Sequence, residues 1–226
     1  MSAGHIVAMG GDGLIDEPGV FDRYVFGLTG KERPRLLYLP TATGDPSDRI
    51  AVVEARFPGL TTLRLFWLSE DRVDPRTVVL DHDVILVGGG STANMLAVWR
   101  VHGVDRALRE AWERGAVLVG ASAGMICWFE CSVTDSFGAL APLHDGLGFL
   151  PGSACPHYDG EPERRPTYTR LVQQEGFPAG YAADDGAALR FSGTELAECV
   201  AAAPGASAYW VGPDGEVPLA TRLLER

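Results

Sequence analysis

Ala116-Val117-Leu118-Val119-Gly120-Ala121-Ser122-Ala123-Gly124-Met125-Ile126-Cys127-Trp128-Phe129 opens with an apolar, β-branched run. It turns through Gly-x-Ser-x-Gly and continues with an apolar helical pattern. That order predicts a strand, a tight turn and a helix. A serine on a sharp turn at the end of a buried strand points its hydroxyl out beyond the sheet. Side chains two residues to either side would collide across such a turn, a demand met by Gly120 and Gly124. The first N–H groups of the following helix, and the positive end of its dipole, face any anion that forms beside Ser122. The same spacing also serves a plain strand–helix connection packed with small residues, so partners for the serine must be sought elsewhere in the chain.

Outward from this turn, short apolar strands alternate with amphipathic helices from residue 5 to residue 130. Strands are expected at His5–Met9, Arg35–Leu39, Thr62–Leu68 and Asp83–Val87. Helices are expected at Val20–Leu28, at Pro46–Phe57 with Asp45 or Ser47 as cap, at Ala93–Val101 and at Val104–Glu113. Most strands are continuous apolar runs rather than alternating ones. That pattern predicts an α/β fold with a central, mostly parallel sheet flanked by helices. Such sheets bind ligands at the carboxyl ends of their strands, where Ser122 and Gly88-Gly89-Gly90 both fall. Gly10-Gly11-Asp12-Gly13 lacks the spacing and the immediate helix of a dinucleotide fingerprint, which argues against a cofactor there. Beyond residue 130 a helix is expected at Thr167–Gln174 and a strand at Gly180–Ala183. Leu196–Ala203, Ala208–Gly212 and Glu216–Ala220 read as short strands closing in a C-terminal β-hairpin, with Tyr209 and Trp210 in the core. Without internal repeats or a linker, residues 1–226 read as a single domain.

The 226 residues are 46% hydrophobic and 22% charged, ordinary values for a globular protein, and carry a formal net charge of −11 without any long Lys/Arg cluster. This argues against nucleic-acid or anionic-membrane partners. No apolar run reaches membrane-span length and no leader pattern opens the chain, so the expected location is cytoplasmic. The four cysteines, Cys127, Cys131, Cys155 and Cys199, lack a metal-type pairing and read as buried reduced thiols, with Cys127 and Cys131 one turn apart on a helix. No metal is expected.

A serine nucleophile needs a base, and the base needs an orienting acid. Of the five histidines, His5, His82 and His102 read as surface residues and His144 lies in a loop. His157 follows Gly152-Ser153-Ala154-Cys155-Pro156, as at a strand end opening into a site loop. Three places compete for the acid, of which Asp159 is too close to His157 in sequence to reach its ring easily. Asp185 and, next, Asp184 follow the strand Gly180–Ala183; Asp135 lies close after Ser122. Backbone N–H donors for an oxyanion would come from Ala123 and from Gly89 or Gly90, where the absence of a side chain permits close approach. Ser91 either lines the same mouth or caps the next helix.

Four segments together resemble the peptidase E family of serine peptidases, whose fold is similar to class I glutamine amidotransferases: Leu86-Val87-Gly88-Gly89-Gly90-Ser91-Thr92, Gly120-Ala121-Ser122-Ala123-Gly124-Met125, Cys155-Pro156-His157-Tyr158-Asp159 and Ala183-Asp184-Asp185-Gly186-Ala187-Ala188-Leu189. The resemblance implies a triad of Ser122, His157 and Asp185, with Asp184 as the alternative acid and Asp135, the other candidate acid, in a supporting role, acting on short peptides through an acyl-enzyme without a cofactor. The family often has Asn where this chain has Ser91, and Glu where it has Asp185. The resemblance further implies an exopeptidase for peptides with N-terminal Asp, and a homodimer. Arg164 and Arg165 are candidates to hold a substrate carboxylate. The same pair could hold a C-terminal carboxylate instead, giving a carboxypeptidase-like enzyme; a cyanophycin-degrading enzyme is a more distant relative. A non-catalytic, glutaminase-like binding subunit and an esterase are the readings from other classes. His157 is followed by Tyr158-Asp159 rather than x-Glu, which argues against an amidotransferase.

Overall fold

Runs such as Ile6-Val7-Ala8-Met9 and Val84-Ile85-Leu86-Val87 carry apolar side chains on both faces of a strand, so they are stable only between two covering layers. The computed structural model, which describes residues 4–11, 19–66 and 73–225, places them at the centre of an eight-stranded sheet. In chain order the strands and helices are β1 (His5–Met9), α1 (Val20–Gly27), β2 (Leu36–Leu39), α2 (Ser47–Arg56), β3 (Thr61–Thr62), α3 (Pro75–Leu80), β4 (Val84–Val87), α4 (Thr92–His102), α5 (Val104–Glu113), β5 (Val117–Ala121), α6 (Ala123–Ile126), β6 (Phe129–Thr134), β7 (Ala141–Leu143), β8 (Leu150–Cys155), α7 (Arg164–Gln174), β9 (Gly180–Ala183), β10 (Ala187–Ser192), β11 (Glu195–Ala201), β12 (Ala208–Gly212), β13 (Gly215–Leu219) and β14 (Thr221–Leu223).

The large sheet runs β14-β11-β10-β1-β5-β4-β2-β3. β1, β5, β4, β2 and β3 pair in parallel, and β10 joins β1 antiparallel. Val7, Met9, Val117 and Val119 point to the face covered by Phe21 and Val25 of α1 and Ile50 and Val53 of α2. Ile6, Ala8, Ile85 and Leu118 point to the other face, against Trp99, Leu108 and Trp112 of α4 and α5. Among the described residues, no helix is long and apolar enough to cross a membrane.

Four expectations need correction. The helix after Ser122 is a single turn, and Phe129 already begins β6; Cys127 and Cys131 therefore do not share a helix. β6 opens a second, six-stranded sheet, ordered β13-β12-β9-β8-β6-β7, which the linear pattern does not announce. One face of it packs on Tyr168, Leu171 and Val172 of α7. The C-terminal hairpin β12–β13 is formed as expected and extends this second sheet through β9. The strand expected at Thr62–Leu68 pairs only over Thr61–Thr62, and its last residues lie outside the described ones. Asp45 does not cap α2. It is buried, and its carboxylate accepts the N–H groups of Leu65 and Phe66, which holds the chain out of the strand.

Candidate active site

The turn after β5 is as tight as its glycines suggest. A Cβ on Gly120 would lie 2.8 Å from Gly124 Cα, and a Cβ on Gly124 would lie 2.5 Å from the Val87 carbonyl oxygen of β4. Both are backbone contacts that no rotamer could relieve. Ser122 sits between them with φ 56° and ψ −115°. Among the described residues the non-glycine positions with positive φ are Asp45, Ser122 and His157, so two of the three belong to this site. Strain of this kind costs about 1–3 kcal/mol per residue and persists only where the surrounding fold fixes it.

His157 follows β8 and Asp185 follows β9, each just past the end of a strand. His157 Nδ1 lies 2.6 Å from Asp185 Oδ1. The hydrogen bond leaves Nε2 on the far edge of the ring available to a second partner. The end of β1 ties these segments together. Ser122 N–H donates to the Met9 carbonyl (3.2 Å), His157 N–H to the Gly10 carbonyl (3.3 Å) and Gly186 N–H to the Gly11 carbonyl (3.3 Å). Gly11 and Asp185 also form an isolated parallel bridge. Gly10-Gly11, set aside above as a cofactor loop, is thus the strand terminus from which all three candidate residues hang. The one signal in sequence is a pair of glycines directly after an apolar strand.

The two oxyanion glycines are placed differently. Gly89 faces the serine: a Cβ there would lie 3.4 Å from Ser122 Cβ and 3.8 Å from Ser122 Oγ. Gly90 has φ 134°, and its Cβ would fall 2.4 Å from the Ala42 carbonyl oxygen, so this residue serves the turn. Among the described residues, none accepts a hydrogen bond from the N–H of Ala123 or Gly89. Ala123 is buried and opens α6, where the first N–H groups of a helix have no partner within it. Ser91 caps α4, accepting the Asn94 N–H on its Oγ.

The alternative acids have other partners. Asp184 is buried, and its Oδ2 accepts the Ser207 N–H (3.0 Å) and the Tyr209 hydroxyl (3.3 Å). Burial, with the nearby Asp159, pushes its carboxyl above the usual range. Asp135 is half exposed and lies 3.5 Å from a guanidinium nitrogen of Arg164.

The arginines differ from the expectation of a substrate-carboxylate clamp. Arg164 is 2% exposed and bonds Glu161 Oε2 at 2.7 Å and the Val133 carbonyl at 3.3 Å. A guanidinium buried among these acceptors has no free face for a ligand. Arg165 is half exposed, but it is paired with Glu216 of β13 and lies over the rings of Tyr158 and Tyr209. All four cysteines are buried free thiols. Burial pushes the Cys155 thiol up to about 12 and the Cys199 thiol up to about 11, so neither supplies a thiolate at neutral pH.

The comparisons with known proteins agree with one another. The model of peptidase family S51 matches residues 6–199. The chain is 44% identical over 227 residues to the uncharacterized peptidase YgaJ of Bacillus subtilis (strain 168), covering 97% of this chain and 98% of that protein. Over 80 residues it is 38% identical to the imidazole glycerol phosphate synthase subunit HisH of Herpetosiphon aurantiacus, 35% of each chain, in keeping with a class I glutamine amidotransferase-like fold. The crystal structure of a peptidase from an acI-B1 actinobacterium superposes with a TM-score of 0.71 at 18% identity, over 97% of this chain and 95% of that one, a likeness of fold. The chain belongs to peptidase family S51 and is a serine-type, peptidase E-like hydrolase.

Proposed function

From that family membership, we propose that the protein is a serine exopeptidase for short peptides, with Ser122 as nucleophile, His157 as general base and Asp185 as the acid that orients it. The observation that carries this reading is the 2.6 Å contact of His157 Nδ1 with Asp185 Oδ1, hung from the same strand end as the strained Ser122. In the reaction, Ser122 Oγ attacks the scissile carbonyl carbon while His157 Nε2 takes the hydroxyl proton. Asp185 holds the other ring nitrogen as N–H and stabilises the imidazolium. The oxyanion lies against the N–H groups of Ala123 and Gly89. His157 then returns its proton to the leaving amine, and water repeats the sequence on the acyl-enzyme. Gly89 is preferred to Gly90 as donor because it faces the serine. Asp185 is preferred to Asp184 because the Asp184 carboxylate is bonded to Ser207 and Tyr209.

The engaged state of Arg164 and Arg165 leaves the recognised terminus to experiment. Wild type and Ser122→Ala are compared on Asp-Leu, Leu-Asp, an N-acetylated tripeptide and a C-amidated tripeptide. Cleavage by wild type that is absent in Ser122→Ala is expected. The blocked peptide left intact identifies whether the enzyme reads the N-terminus or works as a carboxypeptidase. Equal cleavage by both proteins would remove Ser122 from the chemistry.

A further inference from the structure

Two glycines flank the carboxylate of Asp185. A Cβ on Gly11 would fall 1.9 Å from Asp185 Oδ1 and 2.6 Å from His157 Nδ1. A Cβ on Gly160 would fall 2.1 Å from Asp185 Oδ2 and 3.0 Å from its Cγ. Glycine is commonly required where φ is positive, but neither Gly11 nor Gly160 lies in that region. Positive φ is therefore not what requires glycine at either position. The nearest atoms that forbid a side chain at Gly160 all belong to the Asp185 carboxyl group, and those at Gly11 belong to Asp185 and the His157 ring.

An aspartate is one methylene, about 1.5 Å, shorter than a glutamate. For so short an acid to meet the imidazole, the surrounding backbones must draw in. They do so through the Gly11–Asp185 bridge and through the Asp185 N–H, which donates to Asp159 Oδ1 at 2.8 Å. Asp159 and Gly160 lie on the turn that follows His157, so this turn approaches the acid from one side and the end of β1 from the other. We propose that Gly11 and Gly160 are positioning residues forming a two-sided collar fitted to an aspartate. The collar selects the oxygen that meets His157 Nδ1 and fixes the length of acid that can work at position 185. This rests on the reading of His157 and Asp185 as a working pair.

The experiment is a double-mutant cycle on Gly160 and Asp185, with Asp185→Glu alongside. Gly160 is exposed, which favours folding of Gly160→Ala, and a thermal melt checks it. Steady-state peptide hydrolysis is measured for wild type, Gly160→Ala, Asp185→Asn and the double variant. The far-downfield proton resonance of the His157 Nδ1–H is recorded for each. Gly160→Ala is expected to lower kcat at least tenfold with little change in KM, and to shift or broaden that resonance. The double variant is expected to be no slower than Asp185→Asn. Asp185→Glu, which keeps the charge, is expected to lose activity about as far as Asp185→Asn does. Additive losses in the cycle, wild-type turnover by Gly160→Ala, or a fully active Asp185→Glu would each overturn the collar while leaving the triad standing. Full activity in Asp185→Asn would overturn the triad reading itself, and the collar with it.

Discussion

A methyl group added at Gly89 would sit 3.4 Å from Ser122 Cβ, 3.6 Å from the Ala121 carbonyl oxygen and 3.8 Å from Ser122 Oγ. These are ordinary contact distances, and Gly89 does not have a positive φ. Gly89→Ala should therefore fold with a stability within about 1 kcal/mol of wild type. The reacting centre tolerates far less. The acyl carbon bonds to Oγ at about 1.4 Å, and its oxygen lies about 2.3 Å from Oγ, so a methyl at 3.8 Å competes for the space the oxyanion needs. The alanine keeps its N–H, but an oxyanion displaced from it forfeits that bond, and losing one oxyanion donor lowers kcat by about 10²–10³-fold. A drop of about 100-fold or more in kcat/KM is expected, with the melting temperature within about 4 °C of wild type. The assay pairs hydrolysis of the best peptide with labelling of Ser122 by a small fluorophosphonate and a thermal melt. Wild-type turnover in a folded Gly89→Ala would refute the placement of the oxyanion. A collapsed fold would refute the contact distances.

Two further substitutions test the surroundings. Asp184→Asn should keep activity, since its carboxylate is bonded to Ser207 and Tyr209. Its effect on stability depends on pH with a definite sign. Because burial and Asp159 raise the Asp184 pKa in the folded protein, its protonated form favours the fold below the unfolded value, about 3.9. That advantage is lost as pH rises through the folded value. Urea unfolding should show wild type losing stability relative to Asp184→Asn as pH rises above about 4; a difference constant with pH would contradict this. Gly120→Ala should destabilise the protein by about 1–3 kcal/mol and inactivate it, because the new Cβ meets backbone of Gly124 and Val87 at 2.8 Å; a melt and turnover equal to wild type would show that the turn has slack.

The central strands were legible because burial on both faces leaves an uninterrupted apolar run, and β1, β2 and β4 fall within a residue or so of their expected bounds. The candidate site was legible for a related reason: Ser122, His157 and Asp185 each stand just beyond the end of a strand. What failed has physical causes. Met125 to Phe129 is a short apolar stretch that fits either helix or strand, and pairing of β6 with β8 decides for a strand from Phe129. The second sheet is built from pairings between distant segments, which local periodicity does not record. Arg164 looked like a surface cation. Its burial depends on acceptors from Val133, Asp135 and Glu161, three positions that come together only in the folded chain.

The role of β1 has a consequence for how the enzyme is made. Its strand lies between β5 and β10, and the contact of His5 with Phe191 joins positions 186 apart in sequence. Closing so long a loop is slow compared with forming local helices. A ribosome releases Ser122 and its turn well before the segment carrying Asp185 can reach β1. Until that segment follows, the set of Ser122, His157 and Asp185 proposed above is incomplete in the growing chain. Pairing of β1 with β10 is therefore the step on which the proposed site waits.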